Sequence, residues 1–97
     1  MAYTVNKTNS SASPNAYTVQ DGVVNTQTDL SFVGKGYAGF GEKLNENFIK
    51  LLENFNYTSA PSNKIQGQLW FDQTNKQLNI YTGTKFKPVG SKLLFPL

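Results

Sequence analysis

Along the first third of the chain, apolar and polar residues alternate in short bursts. Ala2-Tyr3-Thr4-Val5 returns as Ala16-Tyr17-Thr18-Val19, and both copies alternate β-favouring residues as half-buried strands do. A match of four residues is too short for an internal duplication, so it reads as two similar strands. Between them, Thr8-Asn9-Ser10-Ser11-Ala12-Ser13-Pro14-Asn15 has the composition of a loop. Asp21-Gly22 marks a tight turn, because glycine accepts positive φ without steric cost. Asp29 to Val33 predicts a further strand that turns Leu30, Phe32 and, at its end, Val33 toward a core. Residues 1–33 are therefore expected to form a β-rich segment.

The period then changes. Phe40, Leu44, Phe48, Leu51, Leu52 and Phe55 fall within one sector of a helix over 40–55. Glu42, Lys43, Glu46, Lys50 and Glu53 fall on the opposite side. Ile49 lies on the flank of the stripe, as a partly exposed residue or as a contact with a neighbouring subunit. Asn56 to Gln66 is a Ser/Pro-containing connector. After it the period of two returns in Gln68–Phe71, Gln77–Tyr81 and Lys85–Lys87, with turn residues between them. These strands predict a three-stranded antiparallel meander over 67–90. One face would carry Leu69, Phe71, Leu78, Ile80 and Phe86, and the helix stripe is its natural cover. Trp70 would point to the other face, against another element or subunit. Residues 91–97 are an apolar tail. The expected fold is thus α+β in a single domain over 1–97: an N-terminal β region, one amphipathic helix, and a meander packed on that helix.

Size changes the picture. A 97-residue chain buries only roughly 60–65% of its surface, so its own core gives modest stability. Small domains usually add a disulfide, a metal or an oligomeric contact. The chain has no cysteine and no histidine, which leaves self-assembly. Ile49, Trp70, Leu93, Leu94, Phe95 and Leu97 are the candidate interface residues, being large apolar groups that the single-domain picture leaves uncovered. The seven Phe, five Tyr and one Trp supply too much apolar surface for a solvated, disordered chain.

Charge and chemistry narrow the function. The net charge is +3, and all nine basic residues are lysines scattered from Lys7 to Lys92. Nucleic-acid readers favour arginine and a basic stripe, so no nucleic-acid partner is expected. No apolar run approaches the length of a membrane span, so no membrane partner is expected. Gly34-Lys35-Gly36-Tyr37-Ala38-Gly39 matches the G-x-G-x-x-G pattern between a strand and a helix. The dinucleotide fingerprint also needs a second parallel strand after the helix. Here a connector and an antiparallel meander follow, so we read a glycine-rich strand-to-helix connection and expect no cofactor. Without His or Cys there is no ordinary nucleophile–base pair, and the six carboxylates show no pairing pattern. The chain is not expected to be an enzyme. Trp70, Tyr81 and Tyr57 could stack on sugars, which gives the alternative of a carbohydrate-binding, host-recognition module.

Two stretches carry a family resemblance. Leu30-Ser31-Phe32-Val33-Gly34-Lys35-Gly36-Tyr37-Ala38-Gly39-Phe40-Gly41-Glu42-Lys43-Leu44-Asn45-Glu46-Asn47-Phe48, with Leu51-Leu52-Glu53-Asn54-Phe55, resembles the N-terminal, virion-proximal region of tail-fibre-like proteins of T4-like phages of aquatic bacteria. Gly67-Gln68-Leu69-Trp70-Phe71-Asp72, with Asn75-Lys76-Gln77-Leu78-Asn79-Ile80-Tyr81 and Gly83, resembles a module that recurs in such fibres. The resemblance implies a structural protein of the phage tail or neck, made in the host cytoplasm and built into the virion. It implies other virion proteins as partners and a trimer as the working form. It brings no catalytic residues. Such fibres commonly run on into a shaft or receptor-binding region, and a chain ending at Leu97 suggests a fibre reduced to its virion-proximal module, an adaptor or a small tail component.

Overall fold

The computed structural model describes residues 1–9 and 13–90. The fold class is the α+β expected: strands, one helix, then a largely antiparallel sheet. The backbone forms two compact units, Met1–Phe48 and Ile49–Leu97, where the sequence suggested one domain. The apolar tail, with Leu93, Leu94, Phe95 and Leu97, lies outside the described residues.

The first unit is built on two short antiparallel pairs. The repeated tetrapeptides become β1 (Tyr3–Asn6) and β2 (Ala16–Val19), with Tyr3 opposite Val19 and Asn6 opposite Ala16. Gly22 makes the expected turn at φ 74°. It leads to β3 (Val24–Asn25), which pairs with β4 (Phe32–Val33). The sequence did not announce β3, and the strand expected over 29–33 shrinks to its last two residues. Tyr17, Val19 and Val33 are buried, Val19 completely. The Tyr17 and Phe32 rings meet at 5.9 Å. Pairs this short gain stability from side chains that bond to backbone. Asn25 Nδ2 donates to Thr18 O at 2.9 Å, and the Tyr3 hydroxyl donates to Val33 O.

The helix α1 spans Phe40–Leu52. Its orientation differs from the expectation. Its one buried residue is Asn47, 9% exposed, on a polar side that also holds the half-buried Lys43 and Lys50. The stripe expected beneath the meander is open, with Phe48 51% and Leu52 77% exposed. Phe40, Leu44 and Leu51 are exposed too, so these five residues are not core. At 100° per residue, Asn47 lies roughly a quarter turn from Phe48.

The physical reason is a specific polar contact. Ser31 N donates to Asn47 Oδ1 at 2.9 Å, and Asn47 Nδ2 donates to Ser31 O at 2.7 Å. A two-point amide clamp fixes rotation about the helix axis, which an apolar stripe alone does not. Losing it would leave two part-buried Ser31 backbone groups without this partner. We expect Asn47→Ala to cost about 1–3 kcal/mol in urea unfolding, more than Asn45→Ala on the open side.

The helix ends in a Schellman motif. Phe55 N donates to Lys50 O at 2.8 Å and Asn54 N to Leu51 O at 3.1 Å, the paired bonds that satisfy terminal carbonyls. Asn54 takes the left-handed position at φ 53°, and Phe55 follows at φ 54°. The second unit then forms one sheet, ordered β5 (Asn56–Tyr57), β6 (Leu69–Asp72), β7 (Gln77–Tyr81), β8 (Phe86–Pro88). The meander β6–β8 is as expected. The parallel edge strand β5, with Asn56 opposite Phe71, is an addition. Phe55 is buried at 6% exposure, in keeping with its core assignment. Leu69, Phe71 and Leu78 are half-buried, whereas Ile80, expected in the core, is exposed at 36%.

Candidate functional site

Three places carry candidate chemistry: the glycine-rich connection, the aromatic side of the sheet, and the open helix stripe.

Each glycine of the connection has a backbone reason. Gly34 N donates to Val23 O at 2.7 Å, and Gly22 N to Lys35 O at 2.8 Å. A Cβ at Gly34 would lie 1.9 Å from Gln20 O and 2.6 Å from Val23 O. Gly36 and Gly39 have φ 78° and 90°. Gly39 O accepts from Lys43 N at 3.1 Å, which places Gly39 as the residue capping α1. The strand that leads in, β4, pairs antiparallel with β3 in a two-stranded sheet. The parallel neighbour that a dinucleotide site needs is not part of that sheet.

The sheet register sorts the aromatic residues. Tyr81 pairs with Phe86, Asn79 with Pro88, and Trp70 with Asn79. Residues directly opposite share a face, so Trp70, Asn79, Tyr81 and Phe86 lie together. Phe86 was expected on the Leu69–Phe71–Leu78–Ile80 face, and its assignment is corrected. The cause is the loop: pairing Tyr81 with Phe86 leaves four residues between, which fixes the parity. Phe86 meets Trp70 at 5.3 Å, with ring planes at 64°, and Tyr81 at 5.1 Å, with planes at 49°. Lys64 Nζ stands 5.6 Å over the Tyr81 ring. Trp70 is half-buried, and its Nε1 donates to Tyr57 O at 3.1 Å. Much of the cover expected from a neighbouring subunit is thus supplied by its own unit. Beneath the rings, Asn79 is buried and its Nδ2 donates to Gln77 O at 3.0 Å.

Among the carboxylates, Asp72 closes its own turn. It accepts from Thr74 N at 3.0 Å, Asn75 N at 3.3 Å and Asn75 Nδ2 at 2.8 Å. The Asn75 side-chain bond, helped by the two backbone amides, holds its carboxyl below the ordinary value. This is a turn carboxylate in water. Among the described residues, no three His, Cys, Asp or Glu side chains gather as a metal would need. No helix among them is long and apolar enough to cross a membrane.

No protein-family model, curated protein or solved structure matches the chain.

The open helix stripe is the largest feature that the sequence placed elsewhere. Phe40, Leu44, Phe48, Leu51 and Leu52 line one side of α1, with Ile49 beside them at 52% exposure. Ile49 was the apolar helix residue expected to be partly exposed or to meet a neighbouring subunit, and in the single chain it is exposed. Contiguous open apolar surface marks contact sites far more often than scattered apolar residues do. Asn47 and Asn79 escaped the sequence reading. Their only signal was an amide in a place where solvent-facing polar residues are ordinary.

Proposed function

We propose that this chain is a non-enzymatic structural module of a bacteriophage virion, of the tail-fibre or tail/neck attachment kind, acting through protein–protein contacts. The observation that carries the reading is the helix stripe. A domain with no disulfide leaves five large apolar side chains of one helix open, as a part made for assembly would. The sequence resemblance supplies the virion. On this reading the partners are other virion proteins and further copies of the chain, with a trimer as the working form. No nucleic acid, membrane or cofactor takes part. The glycine loop supports the non-enzymatic part, because each of its glycines serves the backbone.

The alternative is a carbohydrate-binding module for host recognition, resting on Trp70, Tyr81 and Tyr57. Sugar-stacking platforms present open ring faces. Here Trp70 and Tyr81 each pack at an angle against Phe86, and Lys64 covers Tyr81, which favours the structural reading.

Mass spectrometry of purified phage particles encoding this chain tests the proposal. The protein should appear at a fixed copy number per particle and stay through density-gradient purification. Its absence from particles, with abundance in the infected-cell lysate, counts against a virion role. A glycan array probed with the intact protein should show no saturable binding.

A further inference from the structure

We infer that the apolar stripe of α1 is a homotypic contact, the surface through which one copy of this chain meets the same helix of another. The inference deepens the assembly reading above, naming its surface, and rests on that reading only for the expectation that copies associate.

The spacing is self-matching. Leu44, Phe48 and Leu51 follow one another at four and three residues, the alternation of a helix–helix seam. Phe40 and Leu52 widen it at either end. A seam of this kind accepts a second helix of the same pattern, knob against hole. The positions bordering the seam carry no charge: Gly41 and Asn45 on one side, Asn47 on the other. Nothing repels an identical helix, and nothing there selects a charged partner. The charges stand farther round, and Lys43 Nζ pairs with Glu46 Oε1 at 3.6 Å within the same helix.

The area is sufficient. Large apolar residues carry roughly 150–250 Å² each when fully open. The five stripe residues are between 37% and 77% exposed, so together they offer about 500 Å² per copy. Two copies then remove up to about 1,000 Å², the threshold for a specific interface. An interface at threshold forms and dissolves with concentration, which suits a contact completed only inside a larger assembly. The docked side of the helix is already engaged by the Asn47–Ser31 clamp, so the stripe is the side left to offer.

The absence of cysteine throughout the chain makes the test direct. Single substitutions Leu44→Cys, Phe48→Cys and Leu51→Cys place one thiol each on the stripe, and Glu46→Cys places one outside it. Under mild oxidation at least one stripe variant should form a disulfide-linked pair, and Glu46→Cys should not. In sedimentation, the unmodified protein should grow in mass with concentration. Phe48→Glu should weaken that association by at least about tenfold, the scale of an interface hot spot, with an unchanged far-ultraviolet spectrum. A protein that stays monomeric at high concentration, with no stripe-specific cross-link, overturns the inference. Equal cross-linking at Glu46→Cys and at the stripe overturns it as well. The virion reading fails separately: a self-associating protein missing from particles sinks that reading alone, and a monomer found in particles sinks the helix contact alone.

Discussion

Replacing Phe55 by Ala should cost about 3–5 kcal/mol of stability, while the same change at Phe48 should cost under about 1 kcal/mol, as for an open surface position. The sequence alone would rank the two residues as equals, since both fall on one helical stripe. The structure separates them. Phe55 is 6% exposed and Phe48 51%. Phe55 lies past the helix end, where the Schellman bonds turn the chain, and its ring meets Tyr57 at 6.1 Å. Its backbone adds a second signature. At φ 54° a side chain meets the steric cost of the left-handed region, roughly 1–2 kcal/mol, which glycine escapes. Phe55→Gly should therefore be less damaging than Phe55→Ala, although it removes more side chain. Urea unfolding of the three variants at low protein concentration, where copies do not associate, measures all of this. Equal losses at positions 48 and 55 would mean that the stripe is buried after all.

Gly34→Ala should cost at least about 3 kcal/mol, in the range where backbone is forced apart. The new methyl carbon would fall 1.9 Å from Gln20 O and 2.6 Å from Val23 O. Both obstacles are main-chain atoms, and no side-chain rotation relieves them. Opening the gap would also strain the bond from Gly34 N to Val23 O, at the end of the β3–β4 pair. Gly41 provides the contrast. It lies in the first turn of α1 with nothing within 4 Å of a Cβ. Gly41→Ala should stabilise by about 0.5–1 kcal/mol through the lower entropy of the unfolded chain. Thermal unfolding of the two variants should move in opposite directions. A neutral Gly34→Ala would show that the close approach is not kept in solution.

The change of period from two to 3.6 and back made the helix and the strands β1, β2, β6, β7 and β8 legible, because periodicity reports which residues share a side of an element. It does not report which side docks. The side of α1 that is held was settled by Asn47 and Ser31, a pair sixteen residues apart that leaves no mark in a hydropathy pattern. β5 was illegible because it is two residues long and is aimed by two consecutive left-handed residues, Asn54 and Phe55. Phe86 was put on the wrong face because the alternation was carried across a loop whose length resets it. At the candidate sites, the glycine run joins a strand to the helix, as the change of period implies. Trp70 was correctly placed away from Leu69 and Phe71, but its partners Phe86 and Tyr57 depend on register and on β5.

The clamp at Asn47 has a consequence for which substitutions this chain can tolerate. In most small domains, selection for folding guards apolar helix positions and leaves polar ones free to drift. Here the weight is reversed along α1. Folding alone bears on Asn47, and it bears little on Leu52, which is 77% exposed, or on Phe48. Polar replacements at those two positions should therefore leave the stability of the single chain within about 1 kcal/mol of its starting value.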